Sequence, residues 1–147
     1  EIVAKLAEID NIIAIKEASG DLRQVARIIE LCGNKMQVLS GDDELTFPIM
    51  ALGGTGVISV AANIIPKQMS QLVEAMNKGN IKKARLLHYK YLKLFRALFL
   101  ETNPIPVKEA MNMMGLPAGP TRLPLGPMTE GNKQALKAVL ENYGLLK

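Results

Sequence analysis

The chain is short of the residues that make the most recognisable sites. It has one cysteine, Cys32, and one histidine, His88, in 147 residues. A lone cysteine excludes an internal disulfide. Cys32 lies on an apolar helical stretch with Ile28, Ile29 and Leu31, so its expected use is packing rather than redox or nucleophilic work. Without a second histidine or cysteine at ligand spacing, no metal site is expected, and no Ser-His-Asp signature is present. Aromatic residues make up only 4%, which leaves no platform for stacking bases, and no recognition-helix or finger pattern occurs. No apolar run reaches the length of a membrane span. The opening residues EIVAKLAEID lack the layout of a secretory signal, so a cytoplasmic protein is expected.

What is present is the profile of a soluble globular domain, 48% hydrophobic and 22% charged, long enough for a real core. The formal charge of +4 raises the question of nucleic acid. Yet the clustered Lys78, Lys82, Lys83, Arg85, Lys90, Lys93 and Arg96 alternate at helical spacing with Ile81, Ala84, Leu87, Tyr91, Leu94, Phe95 and Leu98. That is an amphipathic helix with a solvated basic face, not a nucleic-acid surface. Small anionic molecules are a better match for the positive charge. The eight methionines sit mostly among Leu and Ile in helical stretches, where they serve as core filling.

Strands and helices alternate through the first two-thirds. Asn11 to Glu17 is a β-branched apolar run, hence a strand, and Asp21 is a good N-cap for a helix running to Gly33. A second strand spans Met36 to Leu39. The helix after it starts at Asp43 or is capped by Thr46, tolerates Pro48 in its first turn, and stops at Gly53-Gly54. A third strand covers Gly56 to Ala61, followed by a helix to about Asn77. Short connections between such units imply right-handed crossovers and a parallel sheet. The last third is helical: about Ile81 to Leu100, then a helix after Asn103 to Met114, then one capped by Thr129 and ending near Tyr143, with an ordered Pro/Gly-rich loop at Leu116 to Pro127. Three parallel strands alone leave two apolar edges open, so pairing with further strands is expected.

The run Ile12-Ile13-Ala14-Ile15-Lys16-Glu17 is the most informative. Apolar neighbours strip water from an ammonium group and favour its neutral, nucleophilic form, which forms imines with carbonyl compounds. The same position also suits a lysine that only marks where a strand leaves the core. Alternation puts Ile12, Ala14 and Lys16 on one face and Ile13, Ile15 and Glu17 on the other. On a barrel interior, Lys16 emerges at the C-terminal rim, where (β/α)8 active sites lie. Ser40-Gly41-Asp42-Asp43 occupies the same rim after the second strand. Gly41 permits close approach to the backbone, and helix capping is the favoured use of Asp42 and Asp43. Gly53-Gly54-Thr55-Gly56 precedes a strand, so it is a helix stop and turn rather than a phosphate loop. Ser59 and Asn63 are polar at the rim, and satisfying their own loop explains them equally well. Asn103-Pro104-Ile105-Pro106 reads as a constrained corner opening a helix that Asn103 can cap.

In order and spacing, IKEASGD at 15–21, SGDD at 40–43, GVISVAAN at 56–63, ETNPIPVKEAM at 101–111 and RLPLGPMT at 122–129 resemble the dihydrodipicolinate synthase family. These are class I Schiff-base aldolases that also include N-acetylneuraminate lyase. The resemblance covers essentially the whole chain and matches the C-terminal half of the family. It implies an α/β fold: strands six to eight of a TIM (β/α)8 barrel within residues 1–78, then a C-terminal helical domain over 79–147. It implies that Lys16 is the Schiff-base lysine, and that Gly41 and the main chain of Ile58 line the pyruvate pocket.

The implied reaction condenses pyruvate with L-aspartate semialdehyde to give 4-hydroxy-tetrahydrodipicolinate, without metal or organic cofactor. The family's paired threonines, proton-shuttling tyrosine and carboxylate-binding arginine belong to five further strands with no counterpart here. The chain is therefore expected to be inactive alone and to need the N-terminal half-barrel as a partner, and a homo-oligomer, typically a tetramer, is expected. Leu22 and Leu52 are candidates for a subunit interface, or for core packing. Two other classes remain open at this point: a different pyruvate-dependent aldolase, such as a sugar-acid lyase, and a non-catalytic half-barrel that serves assembly.

Overall fold

A computed structural model of the chain describes residues 1–146; Lys147, the last residue of the expected helical extension, lies outside the described residues. The first element is a helix that the sequence did not announce, α1 (Ile2–Leu6), which has no side-chain cap and no buried residue. Then come β1 (Ala14–Glu17), α2 (Leu22–Cys32), β2 (Gln37–Ser40), α3 (Thr46–Ala51) and β3 (Gly56–Val57). The strands form one parallel sheet in the order β1-β2-β3, with Lys16 beside Leu39 and Ser40 beside Val57. Among the described residues the outer edges of β1 and β3 pair with nothing, as the strand count implied.

The strands are shorter than their apolar runs. Ile12 and Ile13 precede β1, and Ile12 packs with the α2–α3 cluster instead of sharing the face of Lys16. The third strand stops at Val57, and a 3₁₀ turn at Ala61–Asn63 takes the place of its expected continuation to Ala61. On the helix-covered face Ile15 lies beside the buried Val38 in a cluster with Val25, Ile28, Cys32 and Ile49. Burial of Cys32 agrees with its packing role.

The rest is helical: α4 (Pro66–Asn77), α5 (Ile81–Ala97), α6 (Ile105–Met113) and α7 (Glu130–Asn142). Their shared core includes Leu72, Leu94, Phe95, Leu136 and Leu140, each at most 1% exposed, and burying each such side chain contributes roughly 1.5–3 kcal/mol. The methionines do fill cores: Met36, Met50, Met69 and Met128 are buried, and Met76, Met111, Met113 and Met114 pack against the helical cluster.

Asp21 caps α2 by accepting from the Arg23 amide at 2.8 Å. Two other expected caps differ. Pro104, not Asn103, is the N-cap of α6, with no side-chain cap bond. Thr129 does stand at the N-cap of α7, but its hydroxyl donates to Glu101 Oε1 at 2.6 Å, and its amide and the Asn132 side chain donate to the same oxygen. A carboxylate 28 residues away outcompetes the local cap because a charged acceptor makes the stronger bond.

His88 on α5 is buried against Phe47, with its Nδ1 unpartnered and its ring 5.5 Å from that of Phe47. Burial holds its pKa below 6.5; Glu44 nearby pulls it up and Arg96 pulls it down. The folded protein thus binds the proton less readily than the unfolded chain. Its contribution to stability is complete above pH 6.5 and is lost as the pH falls through the folded value. Urea titrations should show stability falling on acidification below pH 6.5, and His88→Gln should flatten that slope.

Candidate active site

Three strand ends that are far apart in sequence meet at one end of the sheet. The Gly41 amide donates to the Glu17 carbonyl at 2.7 Å, and the Ile58 amide donates to the Ser40 carbonyl at 2.8 Å. These two bonds lace the ends of β1, β2 and β3, so Lys16, Gly41 and Ile58 share one rim.

Glu17 faces the helices, as alternation requires. It is 4% exposed, and its Oε1 accepts from the Ser19 amide and from Gln24 Nε2 on α2, each at 3.0 Å, while Oε2 has no partner. Lys16 projects from the opposite face, beside Leu39. Its side chain is exposed, contrary to the dehydration that its apolar neighbours in sequence implied. The reason is geometric: Ile15 packs toward α2, and none of the described elements covers the face that Lys16 shares with Ala14. A cavity of about 870 Å³ beside the open edge of β1 is lined by Lys16, Ala18, Arg23 and residues of α1.

Gly41 is held to its identity by space rather than by backbone conformation. A Cβ there would lie 2.6 Å from Ala18 Cβ and 2.8 Å from Lys16 Cε. Only a hydrogen fits between the Gly41 backbone and the lysine stem, which must run directly across it.

The loop after β2 is fixed from within. The fully buried Ser40 hydroxyl donates to the Asp42 carbonyl at 2.7 Å, as the Thr46 hydroxyl does at 3.1 Å. Asp42 Oδ1 accepts from the Glu44 amide. α3 begins at Thr46 with Leu45 at its N-cap and no side-chain cap bond, so neither Asp43 nor Thr46 caps it: the Thr46 hydroxyl is turned to the Asp42 carbonyl instead. Asp43 is 1% exposed, and its Oδ2 accepts from the Val60 and Ala61 amides at 3.1 and 2.8 Å, across 17 and 18 residues. Burial raises its pKa, opposed by the neighbouring Ser59 hydroxyl and by these backbone bonds, and Oδ1 has no hydrogen-bond partner. Ser59 Oγ accepts from the Ala62 amide and Asn63 Nδ2 donates to the Val60 carbonyl, the local satisfaction of the loop. Nothing in the sequence announces the reach of Asp43. Equally unannounced, Arg96 on α5 pairs with Glu44 at 2.6 Å and holds that carboxyl below the usual range.

A parallel sheet flanked by helices, with a lysine and a glycine in contact at its C-terminal rim, is a segment of a β/α barrel of the aldolase type. The chain matches the model of the dihydrodipicolinate synthetase family over residues 1–143 and belongs to that family. It is 57% identical over 141 residues to the 4-hydroxy-tetrahydrodipicolinate synthase of Methanothrix thermoacetophila, covering 95% of this chain and 48% of that protein. Among solved structures, the dihydrodipicolinate synthase of Aquifex aeolicus superposes with a TM-score of 0.92 at 44% identity, covering 97% of this chain and 49% of that one. That of Acinetobacter baumannii, solved in complex with pyruvate, gives 0.92 at 41% identity, covering 98% and 50%. The chain spans about half the length of the curated relatives it matches, and corresponds to the C-terminal part of their barrel. Among the described residues no helix is long and apolar enough to cross a membrane.

Proposed function

We propose that this chain carries the Schiff-base lysine of a 4-hydroxy-tetrahydrodipicolinate synthase. The observation that carries the reading is the fit of the Lys16 stem over Gly41 at the sheet's C-terminal rim, in a member of this family. The neutral Lys16 amine attacks the ketone carbon of pyruvate, and loss of water leaves an imine. The protonated imine withdraws electrons from the adjacent methyl group, whose proton leaves to give an enamine. The enamine carbon bonds to the aldehyde carbon of L-aspartate semialdehyde, which takes up a proton. The amino group of the adduct then attacks the imine carbon, expels Lys16 and closes the ring. Gly41 and the Ile58 main chain form the pyruvate wall.

Proton transfer and carboxylate binding belong, on this reading, to the family's other half, whose strands would add to the open edges of β1 and β3. Ile13 and Ile2, 67% and 77% exposed beside β1, supply apolar surface for that association. Residues 1–78 are the barrel portion and 79–147 the helical extension, with α4 packed on α5 across the join. Leu22 and Leu52 are 36% and 42% exposed, which favours a subunit interface over core packing for both.

The test is a condensation assay with the remaining half of the barrel supplied from the Methanothrix relative. Pyruvate should condense with aspartate semialdehyde in strong preference to N-acetylmannosamine. Preference for the sugar aldehyde would overturn the assignment in favour of a lyase.

A further inference from the structure

We infer that Asp43 is a positioning residue that sets the pyruvate-binding wall at Ile58 by anchoring the turn that follows it; the inference rests on the function proposed above. β3 contributes only Gly56 and Val57 to the sheet, and the Ile58 amide makes the last main-chain bond to β2. Beyond that point no ladder holds the chain, yet the wall must keep a fixed distance from Lys16. The Val60 and Ala61 amides open the 3₁₀ turn at Ala61–Asn63 and have no acceptor within it. Asp43 supplies one: a single carboxylate oxygen receives both. Bonds to a charged acceptor are the strong class, and here the Ala61 bond is buried and the Val60 bond partly so.

Asp43 is itself anchored. It follows Asp42, whose carbonyl is held by the Ser40 and Thr46 hydroxyls, and Ser40 lies two residues from Asp42 at the end of β2, whose next residue, Gly41, bears on Lys16. The path from Lys16 through Gly41 and Asp43 to the turn after Ile58 is thus continuous through contacts and bonds. A carboxylate buried this deeply, with one oxygen unpaired, costs stability. A site that gains position from it accounts for that cost; a surface loop would be as well served by a serine or by water.

The test uses Asp43→Ala and, retaining an accepting oxygen of the same shape, Asp43→Asn. Each is combined with the remaining half of the Methanothrix relative and titrated with pyruvate under borohydride, reading reduced adduct on the Lys16 peptide. Acetaldehyde, which forms an imine on the same amine but has no carboxylate to bind, is titrated in parallel. Amide exchange of the free chain reports on Val60 and Ala61.

For Asp43→Ala, half-saturating pyruvate should rise roughly tenfold to a hundredfold, the penalty of a wall displaced by about an ångström. Reaction of Lys16 with acetaldehyde should be unchanged, and exchange should quicken at residues 60 and 61. Asp43→Asn should recover most of the pyruvate affinity and the slow exchange at residues 60 and 61. If the alanine form does not fold, Asp43→Ser, whose hydroxyl is too short to reach both amides, takes its place and should show the same selective loss. Unchanged pyruvate titration in a variant that exchanges faster overturns the inference, as does a matched loss with pyruvate and acetaldehyde, which marks a purely structural residue. If the native chain, reassembled with the other half, gives no pyruvate adduct on Lys16, the proposed function falls and takes this inference with it. That pattern is distinct from native labelling with an indifferent Asp43.

Discussion

Replacing Lys16 by arginine should abolish imine formation with pyruvate, lowering adduct yield by on the order of 10³-fold or more. Arginine keeps the positive charge and most of the stem, but its guanidinium stays protonated at any pH the protein tolerates and offers no free electron pair. Charge and length at the rim are thus preserved while the nucleophile is removed. Lys16 is exposed and makes no ion pair among the described residues, so thermal stability should change little, within about 0.5 kcal/mol as for surface sites in general. Loss of adduct with an unaltered melting curve is the expected pairing. Retention of adduct on another lysine would show that the rim chemistry does not belong to Lys16.

Gly41→Ala should impair the same reaction by steric means. The new Cβ would stand 2.6 Å from Ala18 Cβ and 2.8 Å from Lys16 Cε. Ala18 Cβ is fixed to the backbone, whereas the lysine stem is flexible, so the stem swings away and takes the amine with it. Adduct formation should fall about 10²-fold, the usual consequence of misplacing a reacting atom by about 1 Å. Residual strain against Ala18 should destabilise the chain by about 1–3 kcal/mol. Gly131→Ala is the control. A Cβ there meets nothing within 4 Å, and the residue lies in α7, so the change should stabilise by about 0.5–1 kcal/mol and leave Lys16 chemistry untouched.

The sequence made the rim legible and the scaffold behind it much less so. Lys16 and Gly41 stand just after apolar runs, and strand ends of a parallel sheet fall at one edge by topology alone, whereas Ile58 lies within its run and only the family resemblance singles it out. Four apolar residues before Lys16 imply dehydration, but the face on which it stands is uncovered among the described residues. Burial is a property of what packs across a face, and alternation within one strand does not report it. The third strand is shorter than its sequence suggests for a related reason: Ile58 to Ala61 is apolar enough for a strand, yet Asp43 accepts from the Val60 and Ala61 amides and draws the chain into a turn. Long-range carboxylate bonds of this kind leave no periodic trace. Glu101 is a second case, taking the hydroxyl and amide of Thr129 that local rules assign to capping. α1, at five residues and without a cap, is below the length at which helical spacing can be recognised.

On the function proposed here, Lys16 forms an imine with pyruvate. The most direct measurement is borohydride reduction in the presence of pyruvate, with the added mass located by peptide mass spectrometry, on the chain alone and with the remaining half of a relative's barrel supplied. A reduced pyruvyl adduct confined to the peptide carrying Lys16, stronger once the other half is present, is the predicted result. An unmodified Lys16 in the reassembled barrel, under conditions in which the intact relative is labelled, would contradict it.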